Sequence, residues 1–343
     1  MFNQKTCVLL VNLGTPDSPK TKDVRKYLTQ FLNDPKVIDI NFFARTFLVN
    51  FIIVPFRARK SAKEYKKLFS ISNGKSPLLI YGLNLQKKLN NIMSENFNVE
   101  FAMRYGNPSL KKELKKIKAK NYKKIILVPL YPQYASSTTE STILKTKKII
   151  NSLKGMPKLE VIKQFYNDDN FIKSVCHQIN RFNLKTYDHI LFSYHGLPER
   201  HLEKGHLHNT RCKNHSCETQ INDDNQYCYK ATCHATTRQI AKALNLEEGS
   251  FSSSFQSRLG KSEWIKPYTD NVLVDFAKKG KKKILVASPA FTADCLETII
   301  EISEEYSKLF KQHGGETLKL VPSLNDEDHW AENLQKIILK KHF

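Results

Sequence analysis

The chain has 343 residues, 40% hydrophobic and 26% charged. That composition excludes a disordered or fibrous chain, and the length suits one large domain or two ordinary ones. A formal net charge of +22 favours anionic partners: nucleic acid, an acidic membrane surface or a polyanionic substrate. A nucleic-acid binder would concentrate cations and aromatics on one element. Here the lysines are spread along predicted helices, as from Lys111 to Lys124, where a solvated face is the plainer reading, so no nucleic-acid partner is expected.

Taken in chain order, Met1–Lys5 runs straight into a short apolar strand, Cys7–Leu13, without the flank of a secretory leader. Phe47–Phe56 is the longest apolar stretch, well short of the ~20 residues that span a bilayer. Pro55 interrupts it, and Arg57, Arg59 and Lys60 follow. The expectation is a cytoplasmic protein, soluble or peripheral on the inner face of a membrane. Val8–Val11, Val99–Met103, Ile125–Leu130, Ile190–Tyr194 and Ile284–Ala287 read as strands, most with the two-sided apolar character of a parallel sheet. Helical patterns such as Ser141–Leu153 and Cys295–Phe310 lie between them. Alternation of this kind predicts an α/β fold with parallel sheets. The turn Lys154–Pro157 divides the chain into near-equal halves, each with strands enough for its own sheet.

Four polar segments follow predicted strands: Asn12–Pro16, Tyr131–Thr139, His195–Arg200 and Ser288–Glu297. In open α/β sheets, ligands bind beyond the carboxyl ends of strands, so these segments are expected to face one cleft, although strand-end loops are often polar in any case. His195, with Gly196 next to it, can take a proton near neutral pH or ligate a metal; a lone histidine at a strand end is more often a structural or surface residue. Asp294, Glu297, Glu301 and Glu305, spaced by three and four, share one helical face. They suit proton transfer or a hard cation. Asp294 and Glu297 also have the spacing of a capping box. The hydroxyls of Ser136–Thr139 suit a helix cap, and Tyr131 and Tyr134 suit the wall of a flat aromatic ligand. No glycine-rich phosphate loop occurs, which argues against a nucleotide enzyme.

Cys212, Cys217, Cys228 and Cys233 follow a C-x4-C-x10-C-x4-C spacing, with His206, His208, His215 and His234 nearby. Four cysteines bunched in an intracellular chain point to an iron–sulfur or zinc site, with unligated thiols as the third reading.

Six segments, in order, carry a resemblance to a known family: Leu10–Pro16, Arg104–Gly106, Tyr131–Tyr134 with its Ser/Thr run, Ser193–Pro198, Gln256–Gly260 with Trp264, Pro267, Thr269 and Asp270, and Ala290–Thr298. Together they resemble the ferrochelatases, bacterial type, over nearly the whole chain. The resemblance implies two Rossmann-like parallel-sheet halves with a porphyrin cleft between them. The halves would be residues 1–155 and 156–322, followed by a C-terminal helix at 323–343. A lip segment over the porphyrin would occupy 47–77, and the cysteine-rich insertion 203–235. The implied activity is insertion of ferrous iron into protoporphyrin IX or coproporphyrin III, at the final stage of haem biosynthesis. Ferrous iron is then a substrate, not a resident cofactor.

The same resemblance implies that His195 and Glu297 form the iron site and that Asp294, Glu301 and Glu305 line a proton or metal path. Porphyrin contacts are implied for Leu13, Arg57, Lys60, Tyr65, Ser76, Arg104, Tyr105, Tyr131, Gln256, Ser257 and Trp264. Peripheral membrane contact through the lip is implied as well. Two departures stand out. Cys295 occupies a position where many members have histidine. The clustered cysteines are internal, as in some bacterial members, rather than in a C-terminal extension; a [2Fe–2S] cluster on Cys212, Cys217, Cys228 and Cys233 is the expectation. A non-catalytic tetrapyrrole carrier on the same scaffold is the alternative, and it would need neither His195 nor the acids.

Overall fold

The computed structural model describes residues 5–206, 217–258 and 262–340. In chain order the elements are β1 (Thr6–Thr15), α1 (Thr21–Leu32), α2 (Phe42–Phe47), a π-helical stretch Leu48–Ile53, α3 (Val54–Ile71), α4 (Pro77–Ile92), β2 (Phe97–Gly106), α5 (Leu110–Ala119), β3 (Lys124–Pro129), α6 (Ser141–Ser152) and β4 (Lys158–Val161). There follow α7 (Asp169–Ile179), β5 (His189–His195), α8 (Glu199–Leu202), α9 (Tyr229–Ala243), β6 (Phe251–Gln256), α10 (Thr269–Lys278), β7 (Lys283–Ala287), a further π-helical stretch Glu297–Tyr306, α11 (Ser307–Gln312), β8 (Thr317–Leu320) and α12 (Asp328–Lys340).

The strands form two four-stranded sheets, ordered β2-β1-β3-β4 and β6-β5-β7-β8. Every pairing in them is parallel. The first strand of each half therefore lies inside its sheet, and the second pairs on its outer side. β1 is buried on both faces, as a central parallel strand must be. On one face Cys7, Leu9 and Val11 join Leu110, Leu114 and Ile117 of α5 and Ile143 and Ile149 of α6 in a single core. The corresponding core of the second sheet gathers Leu191, Ile284, Val286 and Leu318 under Leu273, Ile302 and Phe310. Among the described residues no helix is long and apolar enough to cross a membrane.

The chain divides into two compact units: residues 5–131, 136–164 and 326–340, and residues 132–135 and 165–325. The first extends beyond the Lys154–Pro157 turn because β4, which follows that turn, pairs with β3 from Lys124↔Lys158 to Leu127↔Val161. α12 also returns to it. Lys88 of α4 pairs with Asp328 at 2.7 Å, and Gln335 donates to the Ile92 carbonyl at 2.7 Å.

Strands β4, β6 and β8 carry no clear periodic signal in the sequence. β4 and β8 are short edge strands with mostly polar or half-exposed residues. β6 reads FSSSFQ, and its hydroxyls are satisfied sideways: Ser252 on His189, Ser253 on Thr237 and Ser254 on Thr269, at 2.8–2.9 Å.

Candidate active site

In the second unit the site is built on the carboxyl ends of β5 and β6. Their register places His195 opposite Gln256. Gly196 then turns tightly, its N–H donating to the Gln256 carbonyl at 2.7 Å. A Cβ at Gly196 would sit 2.7 Å from that same oxygen and 3.3 Å from the Trp264 ring, so no larger residue fits. Trp264 is half-buried there, and its backbone bridges to Pro198.

The half-buried His195 imidazole places Nδ1 2.6 Å from the Gly196 carbonyl oxygen. A carbonyl can only accept, so Nδ1 carries the proton, and in the neutral ring Nε2 keeps its lone pair. The Phe291 ring packs edge-on, 6.3 Å away between centroids.

Gln256 joins three elements. Its Oε1 accepts from Ser193 of β5 at 2.7 Å, and its Nε2 donates to the Glu297 carbonyl at 3.0 Å. Its neighbour Ser257, at φ +66°, donates to Oε2 of Glu301. Tyr306 donates to the other oxygen of Glu301 at 2.7 Å. Burial raises the Glu301 carboxyl above its ordinary pKa, and the neighbouring Glu297 adds to the rise. The two hydroxyl donors and His195 oppose it.

The four acids separate by environment. Asp294 is buried, with Oδ2 accepting from Asn325 at 2.8 Å and Oδ1 from Thr298 at 3.0 Å. It therefore serves the Thr298 hydroxyl and not the Glu297 N–H, and the capping-box reading does not hold; the stretch beginning at Glu297 has no side-chain cap. The Cys295 thiol hydrogen-bonds to the side chain of the half-buried Glu297, and burial raises its pKa. Glu305 is exposed. Glu297 to Tyr306 winds with i→i+5 bonding, a form that recurs at functional sites.

In the first unit the expected contacts form a second polar group. Arg104 pairs with Asp34, whose Oδ2 also accepts from Tyr105 at 2.8 Å and from Ser141 at 2.7 Å. Arg104 Nε donates to Ser141 at 2.9 Å. Tyr105 is thus a core residue with its hydroxyl committed, and burial holds it protonated by raising its pKa. Asp34 is absent from the sequence-based set: it lies in the turn after α1, and its partners are some 70 and 107 residues away.

Leu13 is half-buried at the end of β1. Its neighbour Gly14 has φ +120°, and a Cβ there would lie 1.8 Å from the Tyr105 carbonyl oxygen. Ser76 and Tyr131 are buried. The hydroxyls of Thr15, Ser76, Ser136 and Thr139 are buried without a hydrogen-bond partner among the described residues, the condition of groups that await a ligand or water.

On the lip, Arg57 and Lys60 are exposed. Tyr65 is buried, edge-on to Tyr27 at 6.2 Å. Phe42, Phe43, Phe47, Phe51 and Phe56 are 60–80% exposed.

Of the four clustered cysteines, Cys212 lies outside the described residues. Cys217 and Cys228 are buried and meet His206. Among the described residues Cys233 lies outside that group. α9 begins at Tyr229, so Cys228 is its N-cap while Cys233 lies more than a turn inside it. Its thiol is turned into the core against Tyr229 and Tyr194.

A sequence model described as Ferrochelatase matches residues 5–342. A ferrochelatase of Coxiella burnetii (strain CbuK_Q154) is 43% identical over 340 residues, covering 98% of this chain and 94% of that protein. Those of Pseudomonas syringae pv. syringae (strain B728a) and Legionella pneumophila (strain Lens) are 40% and 39% identical over 331 residues; each covers 96% of this chain, and they are themselves covered to 96% and 98%. Among solved structures, SirB from Bacillus subtilis with Fe3+ aligns at TM-score 0.55 with 10% identity, covering 98% of this chain and 95% of that one. That likeness speaks for the fold alone, and the family follows from the sequence matches along the whole length: the chain belongs to the ferrochelatase family.

Proposed function

We propose that this protein inserts ferrous iron into a porphyrin in haem biosynthesis, with His195 taking a pyrrole proton and Glu297 meeting the metal. The observation that carries this reading is the fixed tautomer of His195. Its Nδ1–H is held by the Gly196 carbonyl, so Nε2 offers a lone pair, and the ring interacts electrostatically with the Glu301 carboxyl, itself a neighbour of Glu297. Insertion replaces two pyrrole N–H bonds with bonds to iron and releases two protons. A neutral imidazole suits the removal of each proton in turn. Glu301, whose pKa burial raises, suits the next position, where a proton is received and then passed on. Glu297 offers an oxygen ligand to a ferrous ion shedding water, and Gln256 anchors its backbone. A non-catalytic carrier would need none of these groups.

Arg57 and Lys60, exposed on the lip, suit pairing with the carboxylates at the porphyrin edge. The exposed phenylalanines of the same segment suit an interfacial contact with an anionic bilayer. We place the enzyme in the cytoplasm on that basis, peripheral on the inner membrane face.

The test is direct. Purified protein receives anaerobic ferrous iron with protoporphyrin IX or coproporphyrin III, and absorbance is followed. Conversion of the free-base spectrum to that of the iron porphyrin is expected for one of the two. Binding of either porphyrin without metallation would establish the carrier instead.

A further inference from the structure

We propose that Asn325 is a positioning residue for iron insertion: acting through Asp294, it fixes the turn from which Glu297 is presented. The inference rests on the reading of Glu297 as the residue that meets the metal, and deepens it by naming what holds that residue in place.

Asn325 lies in the segment after β8, and its side chain makes two bonds to one residue. Oδ1 accepts from the Asp294 N–H at 2.8 Å, and Nδ2 donates to Asp294 Oδ2 at 2.8 Å. A backbone N–H only donates and a carboxylate only accepts, so the amide can face one way alone. The Asn325 N–H donates in turn to the Thr292 carbonyl at 2.8 Å. Asn325, Asp294 and Thr292 are all buried. The other oxygen of Asp294 accepts from the Thr298 hydroxyl at 3.0 Å and from the Ser323 N–H at 3.3 Å. Thr298 Oγ1 itself accepts from the Cys295 N–H at 3.0 Å. Residues 294, 295 and 298, which flank Glu297, thus form one network, closed from outside by residues 323 and 325. Gln178 of α7 anchors that outer segment through the Ser323 carbonyl at 2.9 Å. With Gln256 on the Glu297 carbonyl, the backbone that carries the carboxylate is held from two directions.

Position 325 makes two demands at once. The side chain must offer an acceptor and a donor from one short planar group, and the backbone must sit at φ +51°. A carboxamide supplies both atoms, and asparagine enters the left-handed region more readily than most residues. Aspartate would accept the backbone but set one carboxylate against another.

Two variants test the assignment. Asn325→Gly leaves the left-handed backbone open and removes both side-chain bonds. Its kcat for ferrous insertion should fall about 10–100-fold, the scale of a ~1 Å misplacement. Fluorescence titration should meanwhile find porphyrin bound with the stoichiometry and Kd of the wild type. A stoichiometry that falls in step with kcat would indicate a folding role and overturn the proposal. Asn325→Asp adds a chemical signature, and it decides the matter if the glycine variant folds poorly. The introduced carboxyl meets Asp294 as a like charge, and the two coexist only by sharing a proton. Its kcat, as a ratio to the wild type at the same pH, should therefore recover as the pH is lowered from about 8 to about 6; His195 and Glu301, present in both proteins, cancel in that ratio. A pH-independent ratio would overturn the proposal. Glu297→Gln, assayed alongside, separates the two levels. Normal turnover in Asn325→Gly beside an impaired Glu297→Gln overturns this proposal alone. Normal turnover in Glu297→Gln removes the reading beneath it, and the proposal with it.

Discussion

Removing the His195 imidazole should separate catalysis from folding. The ring is half-buried and hydrogen-bonds to its own neighbour's carbonyl. His195→Ala should therefore keep its melting temperature within a few degrees yet lose at least ~10²-fold in turnover, the scale of an acid–base group. Near-normal turnover in that variant would remove His195 from the mechanism.

Glu301 makes a prediction of a different kind. Its carboxyl pKa lies above the ordinary 4.5 in the folded protein, so between 4.5 and that raised value the folded state binds more protons than the unfolded one. Stability contributed by this group is full below pH 4.5 and falls as pH rises through the folded value. Glu301→Gln abolishes the dependence while keeping the hydrogen-bonded shape. Melting temperatures of variant and wild type measured from pH 4 to 8 should diverge in favour of the variant as pH rises; a constant difference would refute a raised pKa.

His195 and the acids are legible in the sequence because they sit at strand ends and at helical spacing. Asp34 is not, since nothing local marks a carboxylate whose partners come from β2 and α6. Nor does the spacing of Cys228 and Cys233 reveal that the first is the N-cap of α9 and the second lies inside the helix.

Among the elements, the run from α2 through Leu48–Ile53 to α3 departs most from ordinary helix burial. Five phenylalanines point outward, with Phe47 and Phe51 stacked at 5.5 Å. Rings so exposed contribute little to the fold, and surface changes usually stay within about 0.5 kcal/mol. Replacing Phe47, Phe51 and Phe56 together by Ser should leave the melting temperature nearly unchanged and sharply reduce co-sedimentation with vesicles containing anionic lipid. Undiminished co-sedimentation would exclude this face as the membrane contact.

Strand recognition from sequence succeeds where burial is two-sided, as in β1, β3, β5 and β7. It fails for β6, whose central run of serines, two of them bonded to Thr237 and Thr269, carries no apolar period. It fails also for β4 and β8, too short and too exposed at a sheet edge to carry a period. The π-helical stretch Glu297–Tyr306 is likewise invisible in a pattern that reads as α-helix throughout.

For the molecule as a whole, a net charge of +22 is a long-range field acting on a porphyrin with carboxylates at its edge. The Debye length shrinks from ~30 Å at 0.01 M salt to ~8 Å at 0.15 M. Raising ionic strength over that range should increase KM for the porphyrin several-fold and leave kcat unaltered. A salt-independent KM would mean that the lysines are a solvated surface with no part in substrate capture.

The α/β class and the paired sheets are readable from alternating elements, and the six ordered segments carry the family. The boundary between the units is not readable, because residues 326–340 join a unit whose sheet is complete by residue 161. That return has a consequence for synthesis. On the ribosome, α4 and the first sheet emerge early, but α12, which seals α4 through Asp328 and Gln335, emerges only after residues 165–325 have been made. The first unit to be translated is thus the last to be finished, and its exposed α4 face is where a chaperone would find a nascent chain waiting.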